Sequence, residues 1–446
     1  MSAWWEGLRE LQRYASALAG LAIIVLLLGL SLYAIIAIPY NEASRLWRGG
    51  EGIWDENPRT AWPTWINLWS STRLPDTIVV DSRRRATRTT EDLGEGVRKV
   101  NASMAFDFPY EDFPSEVTLF LAAKFQERQP HVMLRWRQPD GQEIPLEDRS
   151  PGATERYAIS LDEELKEALG NRAPEEGLFA SASGESLRVL PGHYVLLVEA
   201  YLFEPDSELD LKLVVYGKVH GVAGTDDQRR DLLIALLWGT PIALTFGLLA
   251  AVGSTLLALS IAAIGSWYGG RLDATIQRLV EINSMLPHLA ILIMVGVFYS
   301  RSIWVMLGTI LLLSIFSLGI KTYRSIFLSL KQSPYIEAAR VYGASNMRVI
   351  FRYMVPRVIP MLIPAFVTGI PNFVFLEASL SILGLGDPIL PTWGKLLHEA
   401  LNGGALYKGY YYWMVQPALL LMLTGLSFAM LGFTLDRVFN PRLRVQ

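Results

Sequence analysis

The chain has 446 residues, 51% hydrophobic against 19% charged, with a mean hydropathy of +0.28, which excludes intrinsic disorder and an ordinary single soluble domain. A formal net charge of -3, from 40 basic and 43 acidic residues, gives no electrostatic reason for a nucleic-acid partner. The absence of cysteine removes disulfides, thiolate metal sites and cysteine nucleophiles.

The first predicted element is the uncharged run at residues 18–38. About 20 helical residues cross a hydrocarbon core, so this run is a membrane span. The flank Pro39-Tyr40-Asn41-Glu42 lacks a small-residue cleavage site, which fits a retained anchor rather than a signal peptide.

From Tyr40 to Arg230 the composition is polar, with scattered Pro and Gly and strand-like runs at residues 116–125 and 131–137, and it predicts a β-rich domain. Pro139-Asp140-Gly141 reads as a hairpin turn, because Pro fixes φ and Gly accepts positive φ. A second hairpin is expected from residues 194–203 through 204–209 to 210–216, and residues 162–169 predict a short helix. His131 and His193 lie in separate strand-like runs, without metal-ligand or catalytic spacing. Trp62, Trp65, Ile66 and Trp69 recur at helical spacing around Pro63. Either they form an amphipathic helix at a membrane surface or they pack beneath the β-rich domain, with ligand stacking a third reading.

Five more apolar stretches follow, at residues 242–265, 282–299, 303–320, 358–376 and 411–435, giving six spans. Pro241 is expected to break the helix and leave residues 232–241 as a separate short helix. Lys321, Arg324, Lys331, Arg340, Arg348, Arg352 and Arg357 follow the fourth stretch with only Glu337 of opposite sign. Short loops rich in Lys and Arg are cytoplasmic, so both termini are expected on that side, in agreement with Arg437, Arg442 and Arg444, and residues 40–223 outside.

In that loop Ser333 caps a helix, Pro334 takes its first turn and Gly343 ends it, and a second helix is expected from Ser345 until Pro356 enters the next span. Tyr335, Ala338, Ala339 and Tyr342 are expected on one face, two rings flanking a small-residue saddle for another protein, with Glu337 and Arg340 at its border.

Glu337-Ala338-Ala339, then Gly343, then Tyr353-Met354-Val355-Pro356 resembles the EAA loop of ABC importer membrane subunits, with Tyr353 and Val355 departing from the usual ending. Further matches are Gly224-Thr225-Asp226-Asp227 with Arg230-Asp231, Tyr268-Gly269-Gly270 with Asp273 and Arg278, residues 377–386, Pro391-Thr392-Trp393-Gly394, and Asn440-Pro441-Arg442-Leu443. These are similar to the second permease of dipeptide, oligopeptide and nickel importers, except that Gln228-Arg229 replaces the usual Leu-Gly. The resemblance covers residues 224–443 and is absent from the insert.

The resemblance implies an α-helical polytopic membrane protein of the bacterial or archaeal inner membrane. Its fold would be the six-helix type I ABC importer permease fold, with a β-rich extracytoplasmic domain between helices one and two. The implied divisions are residues 1–39, 40–223 and 224–446, with a coupling loop at about residues 321–357. It further implies a second permease, two ATP-binding subunits that carry ATP and Mg, and an extracytoplasmic binding protein. Tyr335, Glu337, Ala338, Ala339, Arg340, Tyr342 and Gly343 would then couple to the ATPase, and the insert would form an outer platform for the binding protein or the partner permease. No catalytic, cofactor or metal residues are expected in this chain, since Gly394-Lys395-Leu396 lacks the phosphate-loop glycine spacing and hydroxyl.

Ionisable and polar groups inside spans are pathway candidates by default, here Glu281, His288, Asn372 and Glu377. Glu281 is expected to pair with Arg278 or Arg271, His288 to be a satisfied buried histidine, and Glu377 to lie at an outer gate. Two other classes compete: an ion- or proton-coupled secondary transporter using Glu281 and His288, and a membrane-anchored receptor whose sensor is the insert.

Overall fold

The computed structural model describes residues 14–50, 52–94, 96–181 and 188–439. The Asn440-Pro441-Arg442-Leu443 motif and Arg444 lie outside the described residues. The chain forms two compact units, Met1–Arg48 with Ile234–Gln446, and Gly49–Leu233. Tyr40–Arg48, on the polar side of the composition change, is a helix that belongs to the first.

In the first unit, the apolar composition of Ala15–Ala37, Leu232–Tyr268, Asn346–Leu385 and Tyr411–Val438 makes four helices among the described residues long and apolar enough to cross a membrane. Two further pairs pass the same test only when joined across a bend: Gly270–Met285 with His288–Phe298 at 72°, and Ile303–Ser314 with Gly319–Lys331 at 48°. The stretches expected at residues 282–299 and 303–320 therefore each contain a bend, and Lys321, Arg324 and Lys331 sit on the helix Gly319–Lys331. The first bend falls at Leu286-Pro287, where Pro cannot continue the hydrogen-bond ladder.

Pro241 does not break its helix, which runs unbroken through Leu232–Tyr268. Nearby, the Leu236 carbonyl accepts both Thr240 Oγ1 at 3.1 Å and Trp393 Nε1 at 3.0 Å. Side chains and neighbouring helices that serve the backbone around a proline are what make it tolerable in an apolar helix. Likewise Pro356 does not separate two helices: π-type turns at Val349–Met354 run directly into Val355–Leu380. The first helix rests closely on the last, since a Cβ at Gly20 would lie 2.7 Å from the Ser427 carbonyl oxygen.

The second unit is an antiparallel two-sheet sandwich. Its strands are β1 (Ile78–Asp81), β2 (Ala86–Gly94), β3 (Val97–Phe108), β4 (Glu116–Lys124), β5 (His131–Arg137), β6 (Glu143–Pro145), β7 (Thr154–Ala158), β8 (Gly192–Leu202) and β9 (Glu208–Tyr216). One sheet has the order β1-β9-β4-β7 and the other β2-β3-β8-β5-β6. Alternating residues of both sheets, among them Val117, Leu119, Leu213, Met104, Leu134 and Leu196, fill one core. Rings close it at one end, with Phe179 4.7 Å from both Phe108 and Tyr194 between centroids.

The hairpin at Pro139-Asp140-Gly141 forms, pairing Arg135 with Pro145 and Arg137 with Glu143 around Gly141 at φ +90°. The helix expected at residues 162–169 is Glu163–Ala168, capped by Asp162, which accepts Leu165 N. The second expected hairpin is wrong. β8 pairs with β3 and β5, whereas β9 pairs with β1 and β4 in the opposite sheet. β8 buries every second residue, and so does β9 until Leu213–Tyr216, which are all buried, so over most of their length the alternation is identical whether the chain turns back or crosses over.

Trp62, Trp65, Ile66 and Trp69 span a short 3-10 helix, Thr64–Leu68. Trp65 and Trp69 are exposed, which corrects for these two rings the reading that places them beneath the β-rich domain, whereas Trp62 and Ile66 are half-buried.

Candidate functional site

The loop helix Pro334–Val341 starts after Ser333, whose carbonyl accepts Ile336 N at 2.9 Å. It ends where Gly343 takes φ +78° and Ala344 N donates to Ala339 O at 3.0 Å, a turn that favours glycine. Ile336 is fully buried, packed with Trp267, Ile276, Val280, Phe327, Val349 and Met354 into one core, and Ala339 is nearly buried beside it on the same helix. The expected face is therefore split. Ala339 turns inward and Tyr335 is half-buried, while Glu337, Ala338, Val341 and Tyr342 face outward, Val341 85% and Tyr342 90% exposed. The buried pair is three residues apart, so it sets the inward side of so short a helix and leaves the rest to the outside.

Charges fix the block beneath this helix. Arg324 grips Asp273 with Nε 2.7 Å from Oδ1 and Nη2 2.5 Å from Oδ2, joining Gly319–Lys331 to Gly270–Met285. Lys331 Nζ donates to Trp267 O at 2.6 Å and Ser266 O at 3.1 Å, the last carbonyls of Leu232–Tyr268, where a cation is favoured. The Arg340 guanidinium lies 5.3 Å from the Trp267 ring centroid, and that of Arg357 5.4 Å from Tyr335. The helix thus rests on a block that ties together the ends of three other helices. Sequence reasoning noted Asp273 as a motif residue and Arg324 and Lys331 as loop charges; it missed their pairing and Trp267. A lone acid before a basic loop was the available signal.

Two motifs that are separate in the sequence, residues 377–386 and Pro391-Thr392-Trp393-Gly394, converge elsewhere in the helical unit. Glu377 is buried, accepting Ser381 Oγ at 2.7 Å. Thr392 caps the helix Trp393–Asn402 through Lys395 N at 3.2 Å. Gly394 permits this junction, because a Cβ there would lie 2.7 Å from Ala378 Cα. Asp387 Oδ2 accepts Ile303 N at 3.0 Å and so caps the helix Ile303–Ser314.

The other intramembrane candidates do not join Glu377. Glu281 pairs with Arg278 at 3.1 Å, as expected, and also with Lys321 at 3.4 Å. His288 is not buried: it opens the helix after the bend and is exposed, as is Asn372. Among the described residues no hydrogen bond or ion pair links these four to one another, and no group of three or more His, Cys, Asp or Glu is arranged to hold a metal.

In the β-rich unit, the Arg229 departure has a structural role. Arg229 holds φ +67°, the conformation for which the usual glycine is suited. Its buried side chain pairs with Glu116, donates to Asn57 O at 2.6 Å and stacks 4.1 Å from the Tyr216 centroid. Asp226 beside it is buried, accepting Arg230 Nε at 2.6 Å and Arg230 N at 2.8 Å.

Residues 254–445 match the family described as the binding-protein-dependent transport system inner membrane component. The chain is 30% identical over 223 residues to the oligopeptide transport system permease protein OppC of Escherichia coli (strain K12), covering 50% of this chain and 72% of that protein. It is 28% identical over 225 residues to the dipeptide transport system permease protein DppC of Bacillus subtilis (strain 168), covering 50% and 68%. It is 29% identical over 224 residues to the glutathione transport system permease protein GsiD of Pectobacterium atrosepticum, covering 50% and 72%. With apolar helices, a resting block for an exposed loop helix and these likenesses together, the chain belongs to the family of binding-protein-dependent transport system inner membrane components.

Proposed function

We propose that this chain is the six-span permease subunit of an ATP-driven importer of peptides. The single observation that carries the coupling reading is the loop helix Pro334–Val341, docked through Ile336 and Ala339 with Val341 and Tyr342 left uncovered. A short helix held rigidly on the ends of other helices transmits a push on its outer face to those helices. The relatives named for oligopeptide, dipeptide and glutathione transport support the substrate class.

In this reading Glu337, Ala338, Arg340, Val341, Tyr342 and Gly343 meet an ATP-binding subunit, and Tyr335 and Ala339 support them from within. ATP and Mg reside on two such subunits, a second permease completes the pathway, and a binding protein delivers substrate to the β-rich side. Both termini and the loop are cytoplasmic, and the span count is six with each bent pair taken as one span. Glu377 belongs to an outer gate through its hold on Ser381, against which Gly394 of the helix Trp393–Asn402 packs, while Glu281 serves its ion pairs and His288 and Asn372 line the surface shared with the partner permease.

The test is purification of the tagged chain from its native membranes in mild detergent, with mass spectrometry of what remains bound. Recovery of a second permease and ATPases is expected, and Glu337→Arg is expected to abolish uptake with membrane insertion intact. A chain that is recovered alone and transports in liposomes without ATP would overturn the proposal in favour of a secondary carrier.

A further inference from the structure

The β-rich unit holds an apolar surface outward by a built arrangement. Leu68 is 77% and Trp69 74% exposed, and Trp65 and Val222 are exposed beside them. The two indoles meet edge to face with centroids 5.8 Å apart. Thr64 N and Oγ1 both donate to Gly221 O at 2.9 Å, Trp65 Nε1 donates to Val222 O at 2.9 Å, and His220 N donates to Trp62 O at 2.8 Å. Behind the tip, the Asn67 side chain imitates a strand pair, accepting Leu74 N at 3.0 Å and donating to Leu74 O at 3.2 Å. A clasp of this kind fixes the loop while leaving its apolar residues in water, so the fold gains no burial from Leu68 and Trp69 as it stands.

We propose that this surface of Trp65, Leu68, Trp69 and Val222 docks in the headgroup region of the bilayer that the chain spans. Three features point to lipid rather than to a protein partner. Trp and its amphipathic ring concentrate at membrane interfaces, and the surface itself carries no charge. Exposed Ser71 and Thr72 border the tip with hydroxyls that suit a headgroup layer. The chain also keeps the patch near the membrane: Val222 stands only ten residues before Leu232, where an apolar spanning helix begins, and each extended residue reaches at most about 3.6 Å. The proposal rests on the membrane-spanning reading, with the β-rich unit supplying a second, interfacial attachment.

The absence of cysteine makes the test clean, because one introduced cysteine is the sole labelling site. The full chain carrying Leu68→Cys with a nitroxide label is reconstituted in phosphatidylethanolamine–phosphatidylglycerol vesicles, and collisions with oxygen and with a water-soluble nickel chelate are measured. Leu161→Cys, 80% exposed in the same unit, serves as the aqueous reference, and Leu26→Cys, 57% exposed on the first spanning helix, as the lipid reference. The expected oxygen-to-nickel ratio at Leu68 is several-fold above that at Leu161, and Trp69→Cys repeats the result should Leu68→Cys reconstitute poorly. A ratio equal to that at Leu161 overturns the proposal, as does shielding from both reagents, which signals a protein covering. An aqueous signal at Leu26 would instead show that the spanning reading itself has failed.

Discussion

Replacing Ile336 with Ala tests whether the loop helix is a docked lever. Ile336 is fully buried among Val280, Phe327, Val349 and Met354, so truncation removes three carbons from a closed core. At about 0.8 kcal/mol per buried methylene plus a cavity term, the loss is about 2–4 kcal/mol. An eight-residue helix cannot persist undocked, so the whole loss falls on the docking equilibrium of Pro334–Val341. Every 1.4 kcal/mol is tenfold, so the undocked population rises roughly 30- to 1,000-fold. Hydrogen exchange of the purified chain in detergent reads this directly: amides of Tyr342, Gly343 and Ala344, which close the helix end, are expected to lose protection while those of Tyr411–Phe439 keep theirs. Tyr342→Ala, at an exposed position, is expected to leave exchange unchanged. Unaltered protection in Ile336→Ala would refute the reasoning, as the helix would then be held by something other than its buried side.

Asp273→Arg and Arg324→Asp are each expected to lower the thermal stability of the purified chain, and the double exchange to restore most of it, by a coupling of about 1–2 kcal/mol for a partly buried bidentate pair; additive losses would show that the pair carries no coupling. Arg229→Ala is expected to destabilise the β-rich unit by about 1–3 kcal/mol and Arg229→Gly by about 1 kcal/mol less, because only glycine accepts φ +67° without strain; denaturant melts that rank the two the other way would refute this. Burial depresses the His220 imidazole below its ordinary value, opposed by the Asp231 and Asp76 carboxylates. Above the ordinary value of about 6.5 the ring is neutral in both states; as pH falls below it the unfolded chain takes a proton that the folded unit refuses, so stability declines toward the folded value. His220→Gln is expected to flatten the stability profile between pH 7 and 5, and an unchanged slope would exclude His220 as its source.

The helical unit was legible where composition alone decides structure. A run of apolar residues the length of a bilayer has one outcome, and residues 18–38, 242–265, 358–376 and 411–435 each became a helix. Local backbone signals were equally readable: Ser333-Pro334 starts a helix, Gly343 ends one, Asp162 caps one and Pro139-Asp140-Gly141 turns a hairpin, because each acts within a few residues of itself. The Glu-Ala-Ala and Gly spacing located the loop helix before its contacts were known.

Other features depend on which distant segments meet. Alternating burial in β8 and β9 is the same for a hairpin and for a sheet crossing, so only the pairing with β3, β5, β4 and β1 decides. Pro241 reads as a break, yet the helix runs on through it, with Trp393 from far along the chain packed against that turn and donating to the Leu236 carbonyl. The inward turn of Ala339 follows from the core that receives Ile336, the meeting of the Glu377–Ser381 turn with the helix Trp393–Asn402 from a close approach at Gly394, and the grip of Arg324 on Asp273 from the packing of two helices. Short-range preference and hydropathy are properties of a residue and its neighbours in sequence, and they set the elements; the partners of a buried carbonyl, carboxylate or guanidinium are properties of the assembled fold, and only that fold selects them.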